Sequence, residues 1–444
     1  MGADIRLAIH NTIEKNKSAY FAFLKDLVSF DSRILEAGKY GQEKGIQDYL
    51  KQYFQKLGAQ VDAFSPENEK ICKYAGFNKN HTYENRENVV ATFKGAGGGR
   101  SLLMNGHCDI VPPGDESAWT SSPFTCVERN GRLYGRGTTD MKGGLGAAIL
   151  AVSLLKELSI PLAGDIIIES VIDEEGGGNG TIACCDRGYR ADGAIIMEPT
   201  RMAVMPANRG AFLARFTVTG RQTHAATKGL GVNAVEKAIK LINAIKEVET
   251  HWLMTKKHPL LSNPTVNIGK IEGGLGASIV PEACTVDFDV EFLPSEYDKD
   301  YRLIAVDPQD IKDEIQRCLD FACAGDPWLC SHPVTVDWYQ ETLCFETDAE
   351  HPFVQTALKS CRRVLPGAVL DGLPCGCDGA PLFRIGKMPV VIMGPGDLEE
   401  LHTTDESMDA EKFYQAIEVY ANLILDWVGT VKTEEKKEGE SCDY

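Results

Sequence analysis

The sequence predicts an α/β protein: a central, largely parallel sheet flanked by helices, interrupted by a smaller inserted α+β unit. Three observations lead there. Apolar strands without alternation recur between helical stretches over the first 200 residues, as in GDIIIESVI (164–172) and DGAIIM (192–197), which marks strands buried on both faces. From about 210 to 340 the strands alternate apolar and polar residues instead, as in AFLARFTVT (211–219) and CTVDFDVEF (284–292), the pattern of a sheet covered on one face. Beyond 340 the first texture returns, and 444 residues are too many for one small core.

The elements follow in order. Helical spacing covers 5–28 and 40–57, the second ending at Gly58. Strands are expected at 59–63, 88–94 and 101–106, with a turn at Gly95–Gly99. A Gly-, Ala- and Leu-rich helix spans 140–158, and strands follow at 164–172 and 192–197. These make the first part of the main domain, 1–208. The inserted unit, 209–339, takes a strand at 211–219, an amphipathic helix at 233–248, strands at 265–271 and 284–292, and a helix at 310–323. Residues 340–430 complete the main domain with a helix at 351–364, a strand at 389–393 and a helix at 410–428. The charged tail, 431–444, is expected to be disordered.

Charge and composition narrow the function. Acidic residues outnumber basic ones by 64 to 46, for a net charge of −18, which argues against nucleic acid or an anionic membrane as partner. No apolar run reaches bilayer length, and MGADIRLAIHNTIEKNKSAY lacks the pattern of a signal peptide, so the expected compartment is the cytoplasm. The 14 cysteines are then expected as free thiols. The glycine runs Gly95–Gly99 and Gly176–Gly180 lack the G-K-[ST] of a phosphate loop.

SLLMNGHCDIVPP (101–113) places His107 and Asp109 two apart at the end of a strand, where they share a face. Asp140 closes GRLYGRGTTD just before a helix. Glu174 and Glu175 close GDIIIESVIDEE, Glu198 closes DGAIIME, and His402 follows VVIMGPGDLEEL. Taken singly, each has a bland reading: a polar turn for the H-x-D, a helix N-cap for Asp140, a solvated turn for the glutamate pair, a strand end for Glu198, a helix cap for His402. Taken together, five segments deliver a carboxylate or imidazole with no Lys or Arg among them, in the region beyond strand carboxyl ends where α/β ligand sites form. Clustered carboxylates resist ionising together, and a divalent ion removes that obstacle. Two histidines and three carboxylates suit zinc, with one carboxylate bridging two ions.

The order H-x-D, GRGTTDMKGG, Glu-Glu, MEP and a late His resembles the co-catalytic di-zinc amidohydrolase/metallopeptidase family of acetylornithine deacetylase, succinyl-diaminopimelate desuccinylase, aminoacylase and carboxypeptidase G. The resemblance covers nearly the whole chain. It implies a zinc-peptidase-like catalytic domain with a lid/dimerisation domain inserted at 209–339. It also implies two zinc ions per subunit, with cobalt or manganese as substitutes. Asp140 would bridge them, His107 and Glu198 would complete one site, and Glu175 and His402 the other. Glu174 would be the general base, and Asp109 would orient His107. In TGRQTHAATKGLGVNAV (219–235), the family pattern implies that His224 crosses a homodimer to stabilise the oxyanion in the partner's site.

The implied substrate is a small N-acylated amino acid or related amide, and Glu198 in place of Asp is similar to the deacylases. A dipeptidase or carboxypeptidase is the alternative within the family; a non-catalytic metal-binding interaction protein is the alternative outside it. One departure bears on specificity. Ser278 stands near a position where relatives carry Asn, and Glu291 where Arg is often found, which leaves Arg209 and Arg384 as the cations available to a substrate carboxylate.

Overall fold

A computed structural model describes residues 2–431, so most of the charged tail lies outside the described residues. Helices α1 (Gly2–Ser29) and α2 (Lys44–Lys56) precede strands β1 (Gln60–Phe64), β2 (Asn88–Phe93) and β3 (Leu102–His107). Then come α3 (Lys142–Glu157), β4 (Ile166–Val171), α4 (Asn179–Asp186) and β5 (Ala194–Ile196). The insert consists of β6 (Gly210–Thr219), α5 (Ala234–Thr255), β7 (Thr265–Gly273), β8 (Ala283–Phe292), α6 (Pro308–Ala324) and β9 (Asp337–Thr342). The chain returns through α7 (Pro352–Val364), α8 (Gly379–Arg384), β10 (Val390–Ile392) and α9 (Ala410–Trp427).

The main sheet has the order β10-β5-β3-β4-β2-β1. The first four strands are parallel, with Leu103 of β3 opposite Ala194 of β5 on one side and Ile167 of β4 on the other. Every residue of β3 and β4 is buried, as expected of strands covered on both sides. At the far edge β2 pairs antiparallel with β4, and β1 antiparallel with β2, so the sheet is mixed. On one face α1, α3 and α9 pack with Leu27, Leu145, Ile149, Phe413 and Ile417 in the core. On the other, Cys184 of α4 and Ala380 and Leu382 of α8 meet Val90, Leu103 and Ile167. Neither α4 nor α8 was expected from the sequence; at eight and six residues they are too short to show a helical period.

Helix α3 sits at the centre of this packing, and glycine decides how close it comes. A Cβ at Gly144 would lie 2.0 Å from the carbonyl oxygen of Met197, just past β5. The helix can therefore press directly onto the strand exit that carries Glu198.

The insert is built as its alternation requires. Its sheet, β7-β8-β6-β9, is antiparallel throughout. The apolar positions Phe212, Phe216, Val286, Phe288 and Val290 face Ala238, Leu241 and Ile245 of α5 and Ile311, Ile315 and Leu319 of α6. Side-chain caps start both helices: Asn233 accepts from Glu236 N, and Asp307 from Gln309 N. Strand β9 runs across the expected boundary at 339. The two chain crossings lie side by side, because Ala207–Asn208 pairs antiparallel with Phe345–Glu346.

Gly144→Ala should destabilise the fold by about 1–3 kcal/mol, although alanine is the better helix former. Gly146→Ala, whose added methyl first meets the flexible Leu27 Cδ1 at 3.2 Å, should stay within about 1 kcal/mol of the native protein. Urea denaturation midpoints check this; equal effects of the two substitutions would contradict the close-approach argument.

Candidate active site

His107 is the last residue of β3, Glu174 and Glu175 follow β4 by three and four positions, and Glu198 follows β5 by two. Asp140 leads into α3, and His402 comes from the connection between β10 and α9. The fold brings all six together. His107 Nε2 lies 3.1 Å from Asp140 Oδ1, 3.5 Å from Glu198 Oε1 and 4.0 Å from Glu174 Oε2. His402 Nε2 lies 3.1 Å from Asp140 Oδ2 and 3.1 Å from Glu175 Oε2. Asp140 thus presents one oxygen to each histidine. Potential ligand atoms of His107, Glu174 and Glu198 all fall within 4.8 Å of one another, as do those of His107, Asp140 and Glu175. The bland reading of Asp140 fails, since the N-cap of α3 is Met141. That of His402 fails too, since Asp409 caps α9.

The imidazole of His107 is oriented by its neighbour's backbone. Nδ1 lies 3.0 Å from the carbonyl oxygen of Asp109 and 3.7 Å from its carboxylate. A carbonyl only accepts, so Nδ1 carries a hydrogen and Nε2, facing the carboxylates, is left for a proton or a metal. The Asp109 carboxylate also makes contacts that the spacing did not announce. Its oxygens accept from the backbone N–H of Glu174 at 3.4 Å and of Glu175 at 3.1 Å, so it ties the end of β3 to the glutamate turn.

Two buried acids that the motifs did not single out hold the rest. Glu406 accepts from the N–H groups of Gly137, Thr139 and Asp140 at 3.1, 2.8 and 3.0 Å, and from Arg136 Nη1 at 2.7 Å. Its only sequence cue is an acid four positions after His402. Asp173 accepts from His81 Nδ1 and the Tyr83 hydroxyl, both at 2.8 Å, and pairs with Arg86 at 3.3 Å. That clamps the glutamate turn from outside, while Gly177 and Gly178, at φ 122° and 86°, let the chain double back into α4.

Charge in the cluster is unbalanced. Burial would raise the Asp140 carboxyl, but hydrogen bonds from His107 and His402 outweigh it and hold the group below the usual range. Burial pushes Glu174 and Glu198 up, and their mutual repulsion adds to the rise of Glu174. Glu175 is raised to about 7 by burial and by Asp140. Burial opposes charge on His107, yet Glu198 and Asp140 raise it well above its ordinary value. Hydrogen bonds to Asp140 and Glu175 lift His402 to about 10. The clustered imidazole nitrogens and carboxylate oxygens form a donor set that could hold a divalent metal ion.

The cluster forms one end of a cavity of about 400 Å³ whose apolar walls include Ile182, Leu343, Leu373 and Ile385. Asp378 also lines it; burial lifts this carboxyl to about 7, and its Oδ2 accepts from the Thr181 hydroxyl at 2.7 Å. Arg384 lines the cavity and Arg209 does not. His224 is exposed on the insert, its Nδ1 accepting from Ala226 N, and the single chain does not bring it to the cluster.

Residues 103–426 match Peptidase family M20/M25/M40. The chain belongs to this family. Among curated M20-related sequences, it is 29% identical over 449 aligned positions to an N-formyl-4-amino-5-aminomethyl-2-methylpyrimidine deformylase of Bacillus subtilis, covering 96% of this chain and 98% of that one. It is 28% identical to a probable succinyl-diaminopimelate desuccinylase of Staphylococcus aureus, covering 78% and 87%. The crystal structure of a tripeptidase from Staphylococcus aureus superposes with a TM-score of 0.70 at 23% identity, covering 93% and 98%. The protein is thus an M20 hydrolase with the family's mixed α/β fold.

Glu406→Ala should cost about 3–5 kcal/mol, because it leaves Arg136 buried without its counter-charge and three backbone donors unmet. Denaturant unfolding measures it. A loss below about 1 kcal/mol would mean that the Asp140 segment holds its shape without the clasp.

Proposed function

We propose that the protein is a metal-dependent N-deacylase, cleaving the amide bond of an N-acylated amino acid or related small amide. The observation that carries this reading is Asp140 set between two histidines, with Glu174 4.0 Å from His107. Asp140, His107 and Glu198 would hold one divalent ion, and Asp140, Glu175 and His402 the other, zinc being the first choice and cobalt or manganese substitutes. Bound there, such ions supply Lewis acidity toward the scissile carbonyl and make water a better nucleophile.

The chain's own groups do the rest. Glu174 takes a proton from the attacking water and returns it to the leaving nitrogen. Asp109 keeps Glu174 in place through the backbone of the turn. The deformylase and desuccinylase names of the relatives support acyl removal over peptide cleavage. A panel of N-formyl, N-acetyl and N-succinyl amines and amino acids, set against dipeptides and C-terminal peptide substrates, tests that choice with and without added zinc. Activity confined to peptides would replace the deacylase by a dipeptidase or carboxypeptidase. No activity anywhere despite bound metal would favour a binding protein.

Elemental analysis should find about two divalent ions per chain, since one tetrahedral site cannot use all five ligands. Glu174→Gln should keep that content and lose turnover by roughly 100- to 10,000-fold, whereas Glu175→Gln should lose metal. Identical metal content in the two variants would reverse or void the assignment.

His224 fits this reading as the donor that one subunit of a homodimer lends to the other's site. Mixing inactive His224→Ala and Glu174→Gln should restore up to about a quarter of native activity, because half the dimers are mixed and each has one complete site. No recovery after subunit exchange has been shown by differential labelling would place His224 outside catalysis in trans.

A further inference from the structure

Six acidic residues line the cavity beside the cluster: Asp140, Glu174, Glu175, Glu198, Glu341 and Asp378. The first four belong to the cluster itself, and Glu341 has a counter-charge in Lys312, at 2.8 Å. Asp378 remains. It is 2% exposed, and no basic side chain among the described residues comes within ion-pair distance of it. Arg384 also lines the cavity, but its Nε donates to the Cys344 carbonyl at 2.8 Å.

The Asp378 carboxylate is held at one oxygen and open at the other. Although Asp378 is the N-cap residue of α8, its side chain makes no capping bond. Oδ2 accepts instead from the Thr181 hydroxyl at 2.7 Å. The direction of that bond is fixed from behind. Asn105 Nδ2, which only donates, reaches Thr181 Oγ1 and Glu169 Oε2, both at 2.9 Å, so the Thr181 hydrogen goes to Asp378. Oδ1 takes no hydrogen bond from any described residue. It lies against the bare face of Gly178, where a Cβ would come 2.8 Å from it and meet no other non-adjacent atom within 4 Å. Gly178 lines the same cavity, so the missing side chain leaves room for a ligand beside Oδ1. A buried carboxylate oxygen without a partner is unfavourable, and an N–H donor is what would satisfy it.

We infer that Asp378 selects the substrate by a basic nitrogen: an ammonium or amidine-like N–H group donates to Oδ1 beside Gly178, while the scissile amide lies over the His107–Asp140–His402 cluster. This rests on the deacylase reading and adds to it that the substrate carries an amine besides the nitrogen that is released. The apolar walls at Ile182, Leu343, Leu373 and Ile385 take the carbon skeleton between the two. The amine can sit on the leaving half, as in an N-acyl diamine, or on the acyl half, as in an aminoacyl amide, and Asp378 serves one of the two.

Two matched series, each run over several chain lengths, distinguish these sources. One sets N-acetyl diamines against N-acetyl alkylamines in which a methyl replaces the free amine. The other sets aminoacyl amides against alkanoyl amides with the same replacement. One series should show kcat/KM about 10- to 100-fold higher for the amine, the size expected of a hydrogen bond to a charged group. Asp378→Asn keeps an acceptor for Thr181 but turns an amide N–H toward the amine, and should bring that ratio to within about threefold. Equal kcat/KM across both series would overturn the proposal. So would a ratio untouched by Asp378→Asn, including a fall of both partners by one factor, which marks a purely structural residue.

Calorimetry on metal-loaded Glu174→Gln protein separates this outcome from failure of the deacylase reading. Binding of the amine tighter than its methyl counterpart, and lost in Glu174→Gln/Asp378→Asn, supports the subsite even if no amide is cleaved. Should Asp378→Asn not fold, the native ratios decide together with Thr181→Val, which releases the carboxylate from its one hydrogen bond and should lower the ratio in part.

Discussion

Asp140 serves two histidines with a single carboxylate, one oxygen to each, and it can do so only while its backbone is held against rotation. The Glu406 carboxylate supplies that restraint by gathering three consecutive-turn N–H groups and the Arg136 guanidinium. Much of the site depends on it. If the 136–140 segment rolled, the two oxygens would no longer face opposite ways, and the partners on the β3, β4 and β5 exits would converge on nothing. A related device recurs around the glutamates, where Asp109 grips the backbone of the turn and Asp173 anchors it to the side chains of His81, Tyr83 and Arg86, leaving the Glu174 and Glu175 carboxylates unencumbered. Buried acids here are used as fasteners, so the acids of the cluster do not have to hold themselves in place.

The sheet and the site are joined by one packing decision. Helix α3 begins immediately after Asp140 and lies against the exit of β5, which carries Glu198, with glycine at the contact. The ends of two different segments are thereby fixed relative to each other by the core itself, through contacts that solvent does not reach. A cluster assembled from five segments needs rigid mounts of this kind, since a shift of one ångström in any of them spoils the geometry.

Much of this was legible in the sequence, and the reasons are physical. The buried strands announced themselves because a sheet covered on both faces has no polar positions to alternate. His107, Glu198 and the glutamate pair each had a bland reading alone and stood out only together, as several strand ends delivering imidazole or carboxylate with no Lys or Arg among them. Glu406 did not stand out, since its partners at 136–140 lie more than 260 positions away and no local pattern links them. Asp173 was hidden by its neighbours, and the 78–86 segment that grips it has no period to read. The hold of the Asp109 carboxylate on the glutamate turn was not legible, because spacing reports which face a side chain takes and not which backbone donors wait there. Between Arg209 and Arg384 the sequence offered no choice at all; only the neighbours of each, two carbonyls and Glu291 for one and the Cys344 carbonyl for the other, separate them.

The paired crossings at 207–208 and 345–346 bear on how the chain folds. Strand β10 must find β5 across nearly two hundred residues, and closing an unstructured loop the length of the insert, roughly 135 residues, costs about 4 kcal/mol of chain entropy. The insert has its own core, however, and once folded it presents its two ends next to each other. The long excursion then behaves as a tight turn. Formation of the insert first would deliver the C-terminal quarter of the chain to the edge of a sheet already waiting for it, so a unit inserted in the middle of the site's domain also serves as the scaffold on which that domain is completed.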